Sequence, residues 1–208
     1  RIPFFVRPKH NEPTADIVFL APTLTYLAYA KEATVSVSEA RHVGKLFEPK
    51  CHEAIDQYVA DNNMRSLYDR HLDATGVCYA SWRRPQTVRP DHYGRFRGYA
   101  HGLSADLHIL DWLEVKGFTY DVVTDHDLHE QGAELLSRYR VVITGGHPEY
   151  WTGQMLDALE MYQQGGGRMM YVGGNGFWGV ISLDPQRPYL AELRRTQTNG
   201  FIWQAPPG

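Results

Sequence analysis

Residues 140–152, "RVVITGGHPEYWT", decide the fold class of this chain. The segment begins as an apolar run that is typical of a buried strand, and it turns on two glycines. It then presents His147 and Glu149, two residues apart, before a helix that Thr152 can cap. A strand, a tight turn and a helix in this order are the repeating unit of a parallel α/β sheet.

The same alternation continues on both sides of this segment. The pattern predicts helices over 103–117, 132–139 and 152–167, and strands over 15–22, 119–125, 140–146, 168–172 and 180–184. Residues 23–33 fit a helix or a loop. Ser104 is a plausible N-cap and Gly117 a plausible helix stop. We therefore predict an α/β fold with a doubly wound, mostly parallel sheet, because the connections between strands have helical length.

Three polar or glycine-rich segments follow strands of this predicted sheet. They are "DHDLH" (125–129), "GGHPEYW" (145–151) and "GGNGFW" (173–178). The carboxyl ends of parallel strands share one edge, where such sheets bind ligands, so we expect the three segments to cluster there. The first segment offers hard oxygen and imidazole ligands, or it is simply a solvated turn.

Composition limits the class of protein. The chain has 208 residues and a net charge of −3, without a basic run that would bind nucleic acid. Its longest apolar stretch, residues 17–29, is too short and too polar to span a membrane. Two cysteines without metal-type spacing favour a cytoplasmic protein. We predict a single domain over 1–208, a segment of a longer chain, with an irregular loop region at about 43–99.

The residues of the "GGHPEYW" turn allow two interpretations. A carboxylate such as Glu149 is stabilised near a helix N-terminus whatever its function, and His147 could simply hydrogen-bond a loop. Alternatively, both groups take part in chemistry, because loops at strand ends of such sheets usually carry function. The turn contains no cysteine, which disfavours a thiol nucleophile.

Three separated motifs resemble one known family. They are "PTLTYLAYAKEA" (22–33), "LYDRHLDATGVCYASWRRP" (67–85) and "VVITGGHPEYWT" (141–152). In this order they are similar to the catalytic large-subunit domain of N,N-dimethylformamidase and its relatives. The resemblance implies an amidotransferase-like sheet and a mononuclear Fe(III) site made of two tyrosines and one glutamate. It also implies a small partner subunit and homo-oligomerisation.

Carried over motif by motif, the implied metal ligands are Glu149, Tyr68 and Tyr26. Tyr29 is the alternative to Tyr26, because the first motif holds two tyrosines. The resemblance also implies that His147, with Glu149, is a catalytic group beside the metal. Phenolate and carboxylate are hard anionic ligands that suit Fe(III). Tyrosine titrates near pH ~10, so only a highly charged ion would hold two phenolates at neutral pH.

The leading functional hypothesis is therefore an iron-dependent amide hydrolase. It would cleave small N-substituted formamides to formate and an amine, with His147 assisting proton transfer. Four aromatic residues could wall an apolar substrate pocket, or they could pack in the core: Tyr150, Trp151, Phe177 and Trp178. The alternative hypothesis is a non-catalytic, amidotransferase-like binding or assembly domain.

Overall fold

The computed structural model describes residues 4–9, 12–30, 54, 58, 61–62, 64–68, 76–85 and 101–194. The chain divides into two compact units. One unit contains Arg1–Pro3, Leu27–Ser104 and Leu183–Gly208, and the other contains Phe4–Tyr26 and Ala105–Ser182. Most of the irregular region predicted at 43–99 lies outside the described residues. Its irregularity and the single domain over 1–208 stay predictions.

Strands and helices alternate through the described part of the chain. The strands are β1 (Ile17–Ala21), β2 (Tyr79–Ser81), β3 (Asp121–Thr124), β4 (Val141–Thr144), β5 (Tyr150–Trp151), β6 (Arg168–Met170), β7 (Gly179–Val180), β8 (Ser182–Leu183) and β9 (Leu190–Glu192). The helices are α1 (Thr23–Tyr29), α2 (Leu103–Val115), α3 (Asp125–Gln131), α4 (Ala133–Ser137) and α5 (Gly153–Gln164). None of these helices is long and apolar enough to cross a lipid bilayer.

The unit that contains α5 is built on a four-stranded sheet in the order β3-β1-β4-β6. All three strand pairs are parallel, so the α/β class and the parallel sheet are confirmed. The central strand β1 is apolar along its length, and Val18, Phe19 and Leu20 are at most 1% exposed. Burial of that kind is expected for a strand with neighbours on both sides and packing on both faces. The amidotransferase-like classification stays a prediction.

The strand order places a topological switch point between β1 and β4. The chain leaves β1 for β3 on one side, and then crosses back to β4 and on to β6 on the other side. A crevice opens at such a point outside the carboxyl ends of the two strands, and ligands of doubly wound sheets bind there. In this sheet the residues that follow β1 begin α1, and the residues that follow β4 are the "GGHPEYW" turn.

Side-chain caps define where the helices of this unit begin. Thr152 accepts a hydrogen bond from the backbone N–H of Met155, so the predicted cap of α5 is confirmed. The prediction that Ser104 is an N-cap is wrong, because α2 already begins at Leu103. Gly117 does end α2. Its φ is 72°, its N–H donates to Glu114, and the N–H of Phe118 donates to Leu113, as in a Schellman motif.

The prediction of a strand-end loop at "DHDLH" is wrong, because these residues form most of α3. Thr124 Oγ1 accepts from the N–H of Asp127 at 3.2 Å, and the Asp127 carboxylate accepts from the N–H of Thr124 at 2.9 Å. This reciprocal capping box starts the helix directly at the end of β3. Residues 180–184, predicted as one strand, are divided between the short strands β7 and β8.

We expect Thr124→Ala to lower the free energy of unfolding by about 1 kcal/mol, because the N–H of Asp127 loses its capping acceptor. Urea unfolding followed by circular dichroism measures the change. Ser137→Ala is the control, since the Ser137 hydroxyl donates to the local carbonyl of Glu134 at the exposed end of α4. Equal stability of both variants would contradict the capping role.

The other unit contains a small sheet in the order β2-β9-β8. Strand β2 pairs with β9 in antiparallel fashion, and backbone bonds from Trp82 to Tyr189 and from Leu193 to Cys78 extend the pairing. The guanidinium of Arg83 lies 3.8 Å from the ring centroid of Tyr189, a cation–π contact. The arginine thus packs on this small sheet.

Candidate active site

The turn after β4 brings His147 and Glu149 together at the switch point. Glu149 is 1% exposed and His147 is half-buried. A ring nitrogen of His147 and a carboxylate oxygen of Glu149 lie within 4.8 Å of each other. Pro148 separates them in sequence, and the N–H of Glu149 donates to the carbonyl of His147, which closes a tight turn. An imidazole and a buried carboxylate are therefore held side by side.

Helix α1 fixes this turn from the β1 side of the switch point. Thr25 Oγ1 accepts from the N–H of Glu149 at 3.0 Å and from the N–H of Tyr150 at 3.3 Å. Thr25 is 1% exposed, so these bonds form away from water. A hydroxyl that accepts two backbone bonds in a buried place restricts the backbone from which Glu149 projects.

The third predicted segment, "GGNGFW", fixes the same turn by its backbone. The N–H of Gly174 donates to Gly146, that of Phe177 donates to Pro148, and those of Trp178 and Gly179 donate to Glu149, all at 2.9–3.1 Å. Asn175 and Phe177 have positive φ values of 51° and 55°, which are uncommon for residues other than glycine. The expected association of this segment with the "GGHPEYW" turn is confirmed.

A buried carboxylate supports the start of the turn. Asp106, in the first turn of α2, accepts from the N–H of Gly146 at 2.6 Å and from the hydroxyl of Tyr26. Burial raises the pKa of Asp106 to about 6, although both hydrogen bonds oppose that shift. A Cβ atom at residue 145 would lie 2.5 Å from Asp106 Oδ2 and 2.6 Å from Pro22 Cδ, so the backbone comes this close only as glycine.

The two tyrosines of the first motif have different surroundings. The hydroxyl of Tyr26 donates to Asp106 in a buried place. Burial raises the pKa of Tyr26 well above its ordinary value, and the negative charge of Asp106 raises it further. The hydroxyl of Tyr26 is therefore engaged as a donor to the Asp106 carboxylate. Tyr29 instead belongs to an aromatic group that also includes Tyr68.

This aromatic group lies in the unit that contains β2. The ring centroids of Tyr29 and Tyr68 are 4.2 Å apart, and those of Tyr29 and His101 are 4.7 Å apart. Helix α1 ends at Tyr29, and Ala30 follows with a φ of 46° in the left-handed region. The N–H of Leu67 donates to the carbonyl of Ala28 at 3.0 Å, which joins the segment of Tyr68 to the end of α1. Two of the predicted site tyrosines are thus brought together.

The four aromatic residues near the turn fall into two classes. Tyr150 and Trp151 are each 1% exposed, so core packing is confirmed for them. Trp151 Nε1 also donates to the carbonyl of Pro148 at 2.6 Å. Phe177 and Trp178 are 46% and 45% exposed, and they pack against Trp151 and Tyr150 respectively. Only the second pair is available to face a small molecule.

The polar residues of α3 contact the helices that lie beside the turn. Asp125 accepts from the N–H of Leu24 at 2.8 Å, His126 Nδ1 lies 3.3 Å from Thr23 Oγ1, and His129 Nδ1 lies 2.9 Å from Thr152 Oγ1. Burial raises the pKa of the Asp125 carboxyl, and the charge of Asp106 adds to the shift. These contacts join α3 to α1 and to the start of α5.

His126 gives the fold a pH-dependent stability. Burial lowers its pKa from 6.5 to about 4, and the nearby His129 contributes to the shift. Between these pH values the unfolded chain binds a proton that the folded chain does not, so stability falls as the pH falls from about 6.5 to about 4. We expect His126→Gln to weaken this dependence. Urea unfolding at pH 7, 6 and 5 measures it, and parallel curves for variant and wild type would contradict the assignment.

Comparison of the sequence with known proteins identifies one family. The family profile described as N,N-dimethylformamidase beta subunit-like, C-terminal, matches residues 1–208. The chain belongs to this family. The N,N-dimethylformamidase beta subunits of Paracoccus aminophilus and Alcaligenes sp are 46% and 45% identical to it over 215 aligned residues. The alignments cover all of this chain and 27% of each relative's length.

The structure places further residues around the candidate site that the sequence did not identify. Asp106 had a detectable signal, because it falls in the helical stripe of Leu110 and Leu113, where an acidic residue is unusual. Thr25 had no such signal in the sequence, since a threonine within an apolar run is ordinary. His101 lay in an irregular context and acquires its tyrosine neighbour only through the fold.

Proposed function

We propose that this chain is the catalytic segment of an iron-dependent amide hydrolase that cleaves small N-substituted formamides to formate and an amine. The observation that carries the proposal is the family match over all of residues 1–208. The relatives' names specify N,N-dimethylformamidase, and this chain corresponds to 27% of their length. Support also comes from the position of His147 and Glu149, at the edge where ligands of such sheets bind.

The proposed metal ligands are Glu149, Tyr68 and Tyr29. We choose Tyr29 over Tyr26 because the hydroxyl of Tyr26 already donates to a carboxylate, and a phenol in that situation resists ionisation. Tyr29 stacks on Tyr68, the other proposed phenol ligand.

This donor set fits a trivalent iron ion. Two phenol oxygens and one carboxylate are hard, anionic donors when ionised, and hard donors favour Fe(III) over softer ions. Glu149 projects from a backbone that is held on both sides, which suits a ligand that must keep a fixed direction. When bound, the ion supplies Lewis acidity toward the carbonyl of the amide.

The chain's own residues would carry the protons of the reaction. Hydrolysis adds water to the formyl carbon, breaks the C–N bond and leaves a proton on the amine nitrogen, so formate and amine balance substrate and water. His147 would take a proton from the attacking water at a ring nitrogen and give it to the leaving nitrogen. Phe177 and Trp178 are exposed apolar groups in the adjacent segment, where they would contact N-methyl groups.

A small partner subunit and homo-oligomerisation belong to the same proposal. The relatives are named as beta subunits, which supports assembly with another type of chain. The amidotransferase-like fold is also part of the proposal, and the parallel sheet is compatible with it. Size-exclusion chromatography with light scattering, with and without a candidate small subunit, measures the assembly.

The proposal predicts that the purified protein binds about one ferric ion and hydrolyses formamides. We expect a visible tyrosinate-to-iron absorption band, and equal release of formate and dimethylamine from N,N-dimethylformamide. Iron removal by a chelator should abolish both, and Fe(III) but not Zn²⁺ should restore both. Hydrolysis of N,N-dimethylacetamide tests specificity for the formyl group, and hydrolysis of ethyl formate tests specificity for the amine leaving group. A colourless protein that binds no iron and releases no formate would favour a non-catalytic binding domain.

A further inference from the structure

We infer that Asp106 is a positioning residue, whose carboxylate holds the Gly145–Gly146 turn and so sets the place of His147. This inference rests on the proposed function, in which His147 transfers the proton. Asp106 lies in the first turn of α2 and does not belong to the "GGHPEYW" segment. It therefore acts on the reaction only through the backbone that it binds.

The contacts of the carboxylate divide between the turn and α1. Asp106 Oδ1 accepts from the N–H of Gly146, and this is the residue immediately before His147. Asp106 Oδ2 accepts from the hydroxyl of Tyr26. Asp106 is 1% exposed, so water does not replace these partners easily. Helix α1 thus orients the carboxylate, and the carboxylate orients the turn.

The packing around Gly145 shows how closely the turn is seated on Asp106. A Cβ atom at this position would come 2.5 Å from Asp106 Oδ2, which real side chains do not tolerate. The N–H of Gly146 points into the carboxylate, while its carbonyl accepts from Gly174. The residue before His147 is therefore fixed through both of its backbone polar groups.

Apart from the bond that Gly174 donates to the carbonyl of Gly146, the other anchors of the segment act beyond His147. Thr25 binds the N–H groups of Glu149 and Tyr150, and the backbone of residues 177–179 binds the carbonyls of Pro148 and Glu149. Loss of Asp106 would leave these anchors in place. We therefore expect its removal to displace His147 more than Glu149, and to slow proton transfer more than it weakens metal binding.

The test compares Asp106→Ala with Asp106→Asn in the full chain. Asparagine keeps an acceptor for the N–H of Gly146, and its amide can donate to the hydroxyl of Tyr26, so it should restore the turn. A misplacement of about 1 Å can cost on the order of 100-fold in rate. We expect Asp106→Ala to lower kcat at least about tenfold, with iron content and KM changed less than about twofold. Asp106→Asn should recover most of kcat.

Asp121→Ala is the matched control. Asp121 is a second buried aspartate of the same unit, and it accepts from the N–H and hydroxyl of Thr14 at the opposite, amino-terminal end of β3. Its replacement also removes a buried carboxylate that accepts hydrogen bonds. We expect it to lower stability and leave kcat unchanged. Equal losses of kcat in both alanine variants would overturn the positioning role.

Amide hydrogen exchange gives a measurement that does not depend on activity. We expect Asp106→Ala to accelerate exchange in the peptide of residues 145–151 at least about tenfold, while residues 153–164 of α5 stay protected. Unchanged exchange at 145–151, or uniform acceleration throughout the chain, would overturn the inference. If the wild-type protein hydrolyses no formamide and the local effect is present, the proposed function fails and the seating of the turn by Asp106 stands.

Discussion

Glu149→Gln is expected to remove the bound iron and, with it, the hydrolysis of N,N-dimethylformamide. The substitution keeps the size of a side chain that is 1% exposed, so the turn can keep its shape. It replaces an anionic ligand by a neutral amide, which is a poor donor for a trivalent ion. Even the outer partners of metal ligands are commonly worth about 10–100-fold in affinity, so we expect a loss of that order or more.

Elemental analysis and the visible absorption band measure this loss. Tyr68→Phe and Tyr29→Phe should lower iron content in the same way, because each removes a proposed phenol ligand. Tyr26→Phe should keep the iron, since that hydroxyl is bound to Asp106. Full iron content in Glu149→Gln and Tyr68→Phe would refute the ligand set. If Tyr26→Phe loses iron and Tyr29→Phe keeps it, the metal ligand is Tyr26 and not Tyr29.

Gly173→Ala is expected to be the most destabilising alanine substitution in the segment that fixes the turn. A Cβ atom there would lie 2.4 Å from the carbonyl oxygen of Gly146 and 2.7 Å from Pro148 Cδ. The first atom belongs to the backbone and the second to a proline ring, and neither can rotate away, so the two segments must separate. Overpacking of this kind typically costs about 1–3 kcal/mol. Urea unfolding measures the loss.

The neighbouring glycine is a matched control for this prediction. A Cβ atom at Gly174 would meet only His147 Nε2, at 3.8 Å, which is an ordinary contact distance. Gly174→Ala should therefore change the free energy of unfolding by less than about 0.5 kcal/mol. Hydrolysis should fall in Gly173→Ala as well, because the displaced atoms flank His147. Similar free energies of unfolding for both variants would contradict the prediction, because the backbone of the turn would then adjust to the added methyl group without loss of stability.

The part of the fold that could be predicted depends on short-range signals. The apolar run of residues 140–144 predicted β4, and Thr152 predicted the start of α5. Both predictions are confirmed, because each signal acts within a few residues. The same kind of signal was present at Thr124 and Asp127, where a capping box begins α3. The acidic and imidazole side chains of that segment resemble those of a polar loop, and this led to the wrong prediction.

The sequence by itself determined the family, the alternation that gives a parallel sheet, and a histidine and glutamate at a strand end. These features are fixed by residue identity, hydrophobic period and local spacing. Tertiary structure alone decided the surroundings of Tyr26 and Tyr29. They lie three residues apart on α1, so their positions along the chain are nearly equivalent. The hydroxyl of Tyr26 donates to the carboxylate of Asp106, 80 residues away, whereas the ring of Tyr29 stacks on the ring of Tyr68. Contacts between residues so distant in sequence depend on how whole helices and strands pack together. The local spacing of residues contains no information about that packing.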